Sequence, residues 1–148
     1  MRARELAQPV EVVGPTDDVA TAMRLVPSSG LPGLVVAVGD SLVVVPASQV
    51  LRVALPRYVL DDPALAWVWD EASADRLAER LAGLRVADLL GALETDADGP
   101  SAVVDGNATA VEVAAVMAAE HIPLVVVVDG GVLVGAVTAS ALIAYLSR

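Results

Sequence analysis

The chain contains no cysteine, which excludes disulfides, thiolate nucleophiles and thiolate metal sites together. It has no lysine either: its nine basic residues are arginines, scattered singly apart from Arg2 and Arg4, against 19 acidic residues for a formal charge of -10. Nucleic-acid affinity rests on clustered cations that displace counterions, so this balance argues against a nucleic-acid partner. Long apolar runs are missing too, although 56% of the residues are hydrophobic. A spanning helix needs about 20 consecutive apolar residues, and the richest stretches, Leu34 to Val45 and Leu124 to Val137, are interrupted by Gly39-Asp40-Ser41 and Asp129-Gly130-Gly131. Val-rich segments bounded by Gly and Asp read as strands buried on both faces, so the hydrophobicity belongs to a sheet and not to membrane insertion. The start, Met1-Arg2-Ala3-Arg4-Glu5, carries no apolar core with a cleavage site, and a cytoplasmic location is expected.

What the sequence does contain is an internal repeat. Its 148 residues suit one domain or two tightly packed halves. Leu31-Pro32 matches Ile122-Pro123, Val35-Val36 matches Val126-Val127, Gly39 matches Gly130 and Leu42-Val43 matches Leu133-Val134, all 91 positions apart (122 minus 31). The register extends back to Val12-Val13 against Val103-Val104 and forward to Leu51 against Leu142. Self-similarity of this kind decides architecture before any local signal does.

Each copy reads alike. A short strand, Val10 to Val13 or Ala102 to Val104, leads to helix-start residues, Thr16-Asp17-Asp18 or Asn107 to Thr109. The helix that follows carries Val19, Met23 and Val26 in one copy and Val113, Val116 and Met117 in the other, a single apolar face. A Pro-led strand, a Gly-Asp or Asp-Gly-Gly turn and a second strand form a hairpin. Helical character returns over Ala47 to Leu55 and Ala139 to Leu146. The expected unit is β-α-β-β-α, in an α/β (or α+β) class, with repeats at 1–56 and 85–148 and a helical connector at 57–84. Within the connector, Asp61-Asp62-Pro63 reads as a helix start, Ser73 as a cap and Gly83 as a stop. Arg85-Val86-Ala87-Asp88-Leu89-Leu90 echoes Arg4-Glu5-Leu6-Ala7, which gives the second copy its own lead-in helix, and the Asp- and Gly-rich segment from Glu94 to Pro100 reads as an exposed loop.

This organisation resembles the CBS-domain pair, or Bateman module. The residues that carry the resemblance are Arg85 to Leu90 as the opening helix, Ile122-Pro123-Leu124-Val125-Val126 as the Pro-led strand, and Leu133-Val134-Gly135-Ala136-Val137-Thr138 as the Gly-containing strand. The resemblance implies two repeats about a pseudo-twofold axis, with AMP, ADP, ATP or S-adenosylmethionine as regulatory ligands in clefts between them and no required cofactor. In that pattern Thr138 contacts phosphate or ribose, Ser140 stands close by, and Ile122, Pro123, Val104 and His121 complete the site. The acid that should hold the ribose hydroxyls is missing, because position 141 is Ala141. The first copy departs further, with Val44, Ala47 and Val50 at the Gly, Thr and Asp positions, and Ser48 and Gln49 nearby as replacement polar groups.

The function implied is a non-catalytic sensor that signals to a regulated protein, a transporter or an enzyme. The alternative is an interaction or dimerisation module with degenerate pockets. No enzyme signature competes: there is no G-x-S-x-G elbow, the acidic doublets Asp61-Asp62, Asp70-Glu71 and Asp96-Ala97-Asp98 lack ligand spacing for a metal, and Asp129 to Gly135 lacks a dinucleotide-loop pattern. His121 reads either as a helix-terminal residue donating to a carbonyl or as a cleft residue. The chain has four aromatic residues, and two of them, Trp67 and Trp69, stand together. Two apart on a helix they point different ways, one for the core and one for an interface, in keeping with a homodimer. A W67A/W69A chain is expected to lose self-association in sedimentation velocity while keeping its circular dichroism; an unchanged, folded dimer removes the two tryptophans from the interface.

Overall fold

The strands assemble in the order the repeat implies. In the computed structural model, which describes residues 1–68, 70–93 and 102–148, the described strands form two three-stranded sheets. In the first, β1 (Val12–Val13) lies parallel to β2 (Gly33–Val38), which pairs antiparallel with β3 (Ser41–Pro46). In the second, β4 (Val103–Asp105), β5 (Leu124–Asp129) and β6 (Val132–Thr138) repeat the arrangement. Trp69 and the segment from Glu94 to Pro100, with its Asp96-Ala97-Asp98 doublet, lie outside the described residues.

The central strands are buried on both faces, as their unbroken Val and Leu content requires. Alternation then divides their side chains between two cores. Leu34 and Val36 of β2 face the helices of the first repeat, and Val125 and Val127 of β5 those of the second. Val35 turns the other way and meets Leu124, Val126 and Ala136, so the two sheets pack face to face through a dry layer flanked by Val12, Val44, Val103 and Leu133.

Helices cover the outer faces. The first repeat has α2 (Val19–Met23) and α3 (Leu25–Ser29) where the second has one continuous helix, α8 (Ala110–Glu120). Pro27 explains the break, since it lacks the N–H that would bond to Met23. The hairpins lead into α4 (Ala47–Ala54) and α9 (Ala139–Leu146). The connector forms α5 (Arg57–Asp61), a 3-10 turn at Pro63–Val68, and α6 (Glu71–Ala82). Asp70, not Ser73, caps α6: its carboxylate accepts from the Ser73 amide at 3.1 Å and hydroxyl at 3.0 Å. These bonds, the hydroxyl's first, hold the Asp70 carboxyl below its usual range. Leu81 carries the connector into the first core.

The lead-in helices are exchanged. Sequence order assigns α7 (Val86–Ala92) to the second repeat, yet it completes the first, and α1 (Ala3–Leu6) completes the second. The amides of Val86 and Ala87 donate to the carbonyls of Asp17 (2.9 Å) and Pro15 (2.8 Å), and Leu84 accepts from Val19 (3.0 Å). At the other end, Ala3 and Arg4 donate to Ala108 (2.8 Å) and Gly106 (3.1 Å), and Gln8 exchanges two bonds of 2.9 Å with Ala136. The correspondence starts at Arg2, not at Arg4: the Arg2 guanidinium reaches the Asn107 carbonyl at 3.0 Å as Arg85 reaches that of Thr16 at 3.2 Å. Ion pairs Arg4–Asp129 (3.1 Å) and Arg85–Asp18 (2.6 Å) sit above these joints, partly exposed and therefore secondary to the buried apolar contacts.

The register of the second hairpin departs from the 91-residue match. Val127 pairs with Gly135 while Val128 pairs with Leu133, so Val134 is an extra residue, a bulge absent from the β2–β3 hairpin. Beyond it the copies correspond one residue later than the sequence match implies. Leu142, 4% exposed, has Val50 as its counterpart at 3%, whereas Leu51 is 59% exposed.

Because Leu89 is fully buried in the core of the first repeat, Leu89→Ala is expected to destabilise the chain by about 2–5 kcal/mol. Hydrogen exchange should accelerate over 19–54 more than over 103–146, and the reverse distribution would contradict the exchange.

Candidate functional site

Where β1 and the end of α3 approach the start of β2, the packing leaves a cavity of about 470 Å³, within the range that holds a small ligand. Its walls include Val10, Glu11, Leu25, Ser28, Ser29 and Gly33. Gly33 is required there: a Cβ would lie 2.6 Å from the Val45 carbonyl oxygen, 3.0 Å from the Cα of Pro46 and 3.2 Å from a methyl of Leu124 in the other repeat. The serines stand at the end of α3, where Pro27 and the left-handed Gly30 (φ 73°) turn the chain. Both hydroxyls donate to the Leu25 carbonyl, Ser28 at 3.3 Å, and the Ser29 oxygen also accepts from the Leu31 amide at 3.2 Å. Val10 also packs against the layer between the sheets, so the cavity borders the contact of the two repeats.

The second repeat differs at the matching places. Leu124, fully buried, stands where the first has Gly33, and His121 stands where the first has Gly30. His121 closes α8 in a left-handed conformation (φ 53°), the non-glycine residue with positive φ among the described residues, and its side chain is exposed. Thr138 is 7% exposed and caps α9, its hydroxyl oxygen accepting from the Ala141 amide at 3.0 Å. Pro123 is tied to the same helix end, because its carbonyl accepts from Ala139 at 2.9 Å, and Ile122, half-buried, precedes it. Ser140 is exposed and Ala141 offers no carboxylate. Thus Ile122, Pro123, Thr138 and Ser140 come to one corner of the second repeat. Val104 does not join them: it is a core residue packed with Val125 and Val127, and strand alternation leaves Val103 on the inter-sheet face.

The bulge reassigns the first-repeat counterparts. Gly135 corresponds to Val43, Thr138 to Pro46 and Ala141 to Gln49, one residue short of Val44, Ala47 and Val50. Pro46 precedes α4 as Thr138 precedes α9, without a hydroxyl to cap it. Gly135 has a packing role: a Cβ there would run into the Gln8 carbonyl oxygen, which accepts from the Ala136 amide. Trp67 is 91% exposed and its neighbour Val68 80%, so neither is a core residue. Sequence reasoning missed the cavity residues Val10, Glu11, Ser28 and Ser29; the available signal was Gly33 set against Leu124 between the matched pairs Leu31-Pro32/Ile122-Pro123 and Val35-Val36/Val126-Val127.

Among the described residues, no helix is long and apolar enough to cross a membrane, and no group of three or more His, Cys, Asp or Glu side chains is placed to hold a metal ion.

The family model for the CBS domain matches residues 96–148. Among solved structures, a CBS domain-containing protein of unknown function from Kribbella flavida is 43% identical, with 100% of this chain and 99% of that chain covered and a TM-score of 0.76. The CBS-pair protein CBSX2 from Arabidopsis thaliana is 22% identical, covering 99% of this chain and 94% of that one at a TM-score of 0.67. A CBSX2 structure in complex with AMP, also 22% identical, covers 99% and 98% at 0.61. No curated protein matches the chain.

Removing the α9 cap by Thr138→Ala is expected to lower stability by about 1 kcal/mol in urea unfolding, and Thr138→Ser should restore most of it. An equal loss from both variants would show that the methyl contacts, not the capping bond, hold the residue.

Proposed function

Because the chain belongs to the CBS-domain family, we propose that it is a non-catalytic regulatory module that binds an adenosine-containing small molecule between its repeats and signals occupancy to a partner protein. The observation that carries this reading is the cavity of about 470 Å³ at the border of the two sheets. A ligand there touches Val10, which packs into the layer between the repeats, and Gly33, whose backbone abuts Leu124. It therefore favours one packing of the sheets over another, and that difference in affinity is what shifts a population. The AMP held by the CBSX2 relative supports the ligand class. Thr138 and Ser140 at the start of α9, with Ile122 and Pro123, are the candidate contacts on the second repeat.

The module acts as a homodimer on a regulated transporter or enzyme in the cytoplasm. One observation favours a second reading, an interaction module that binds no nucleotide. Trp67 and Val68 are exposed while position 141 lacks the acid and Pro46 replaces the counterpart hydroxyl.

Calorimetric titration with AMP, ADP, ATP, S-adenosylmethionine and NAD, each with and without Mg²⁺, separates the two. Saturable heat with at least one, weakened when Ser28→Trp fills the cavity or when Thr138→Ala strips the hydroxyl, is the expected result. No heat from any of them, in a chain folded by circular dichroism, would overturn the sensor in favour of the interaction module.

A further inference from the structure

Taking the adenosine-containing ligand as its premise, we infer that the cavity of the first repeat selects uncharged or cationic, donor-rich ligands, a nucleoside or a sulfonium-bearing adenosyl compound, and rejects nucleoside phosphates. Among the described residues that line it, Glu11 is the one ionisable group, and no arginine contributes. Glu11 has no ion-pair or hydrogen-bond partner among the described residues, so its carboxylate stays available to a ligand.

The neutral polar groups point the same way. Ser28 and Ser29 direct their hydroxyl hydrogens at the Leu25 carbonyl, and the Ser29 oxygen already accepts from the Leu31 amide, so the Ser28 oxygen is the hydroxyl acceptor left to a ligand. Pro9, also in the lining, has no amide hydrogen to give. The side chains therefore present acceptors: the Glu11 carboxylate and the Ser28 hydroxyl oxygen. Ribose hydroxyls, an exocyclic amine or an ammonium group supply the matching donors, and bonds from such groups to an ionised carboxylate are the stronger kind. A phosphate brings acceptors and negative charge into a site that already holds both, on a chain of formal charge -10. The corner at Thr138 on the other repeat carries no comparable carboxylate, since position 141 is alanine.

The test combines calorimetry with amide chemical-shift mapping on the full chain, using adenosine, guanosine, S-adenosylmethionine, AMP and ATP as probes, with Glu11→Gln and Glu11→Arg as variants. Glu11 is exposed, so both substitutions leave the core intact. Adenosine and S-adenosylmethionine are expected to bind at least tenfold more tightly than AMP, with shifts at Ser28, Ser29 and Gly33. Glu11→Gln should weaken S-adenosylmethionine more than adenosine, and Glu11→Arg should reverse the order in favour of AMP. Tighter binding of AMP or ATP by the unaltered chain, or shifts confined to residues 138–141, would overturn the selectivity and leave the adenosine reading intact. Guanosine binding as well as adenosine, with the Glu11 dependence kept, would sustain the selectivity and remove the adenosine reading. No binding by any probe overturns both.

Discussion

Each repeat buries its core only with a helix borrowed from the chain segment that precedes the other. Ala3 and Val86, both fully buried, are the residues through which this happens, and the amide bonds from α1 and α7 hold them in register. A β-α-β-β-α unit with three strands leaves its outer face partly uncovered, and a sheet face left open to water loses the burial that stabilises it. Covering it from the opposite half of the chain makes the two cores interdependent. The dry layer of Val35, Leu124, Val126 and Ala136 joins the sheets from the inner side, so the repeats are held together at both faces.

Against that shared frame, small departures from symmetry decide where a ligand fits. Gly33 opens space that Leu124 fills on the other side, and the bulge at Val134 turns Gly135 toward Gln8 and sets Thr138 at the start of α9. Neither change disturbs the hydrophobic layer. The cavity and the capped helix end therefore belong to different repeats and offer different chemistry, acceptors and a carboxylate at one, a hydroxyl and a helix terminus at the other.

Much of this was legible in the residues. The valine runs of β2 and β5, bounded by Gly and Asp, announced strands buried on both faces, and their 91-residue spacing located both sheets. The bulge was not legible, because one extra valine among valines leaves the hydropathy pattern unchanged while moving every later side chain by one. Nor was the exchange of lead-in helices, since the apolar face of a helix as short as α1 does not specify which body it covers. The break at Pro27 was hidden by the helical spacing of Val19, Met23 and Val26, which reads as one helix where the structure has two. The cavity lay beyond reach for another reason: Glu11, Ser28 and Gly33 meet only after the sheet and its helices have packed.

The exchange of α1 and α7 has a consequence for the order in which the chain takes shape during synthesis. Translation proceeds at about 5–20 residues per second, N-terminal residues first. The first repeat lacks its last covering helix until Val86 to Leu89 emerge, so its sheet waits, with the connector made in the interval. Residues Ala3 to Leu6 wait longer still, because the surface they cover includes Val104, Val113 and Val137. Helix α1, made before either sheet, is thus among the last of these elements to find its place, and closure of the second core brings residues 3–6 back onto strands made about a hundred residues later.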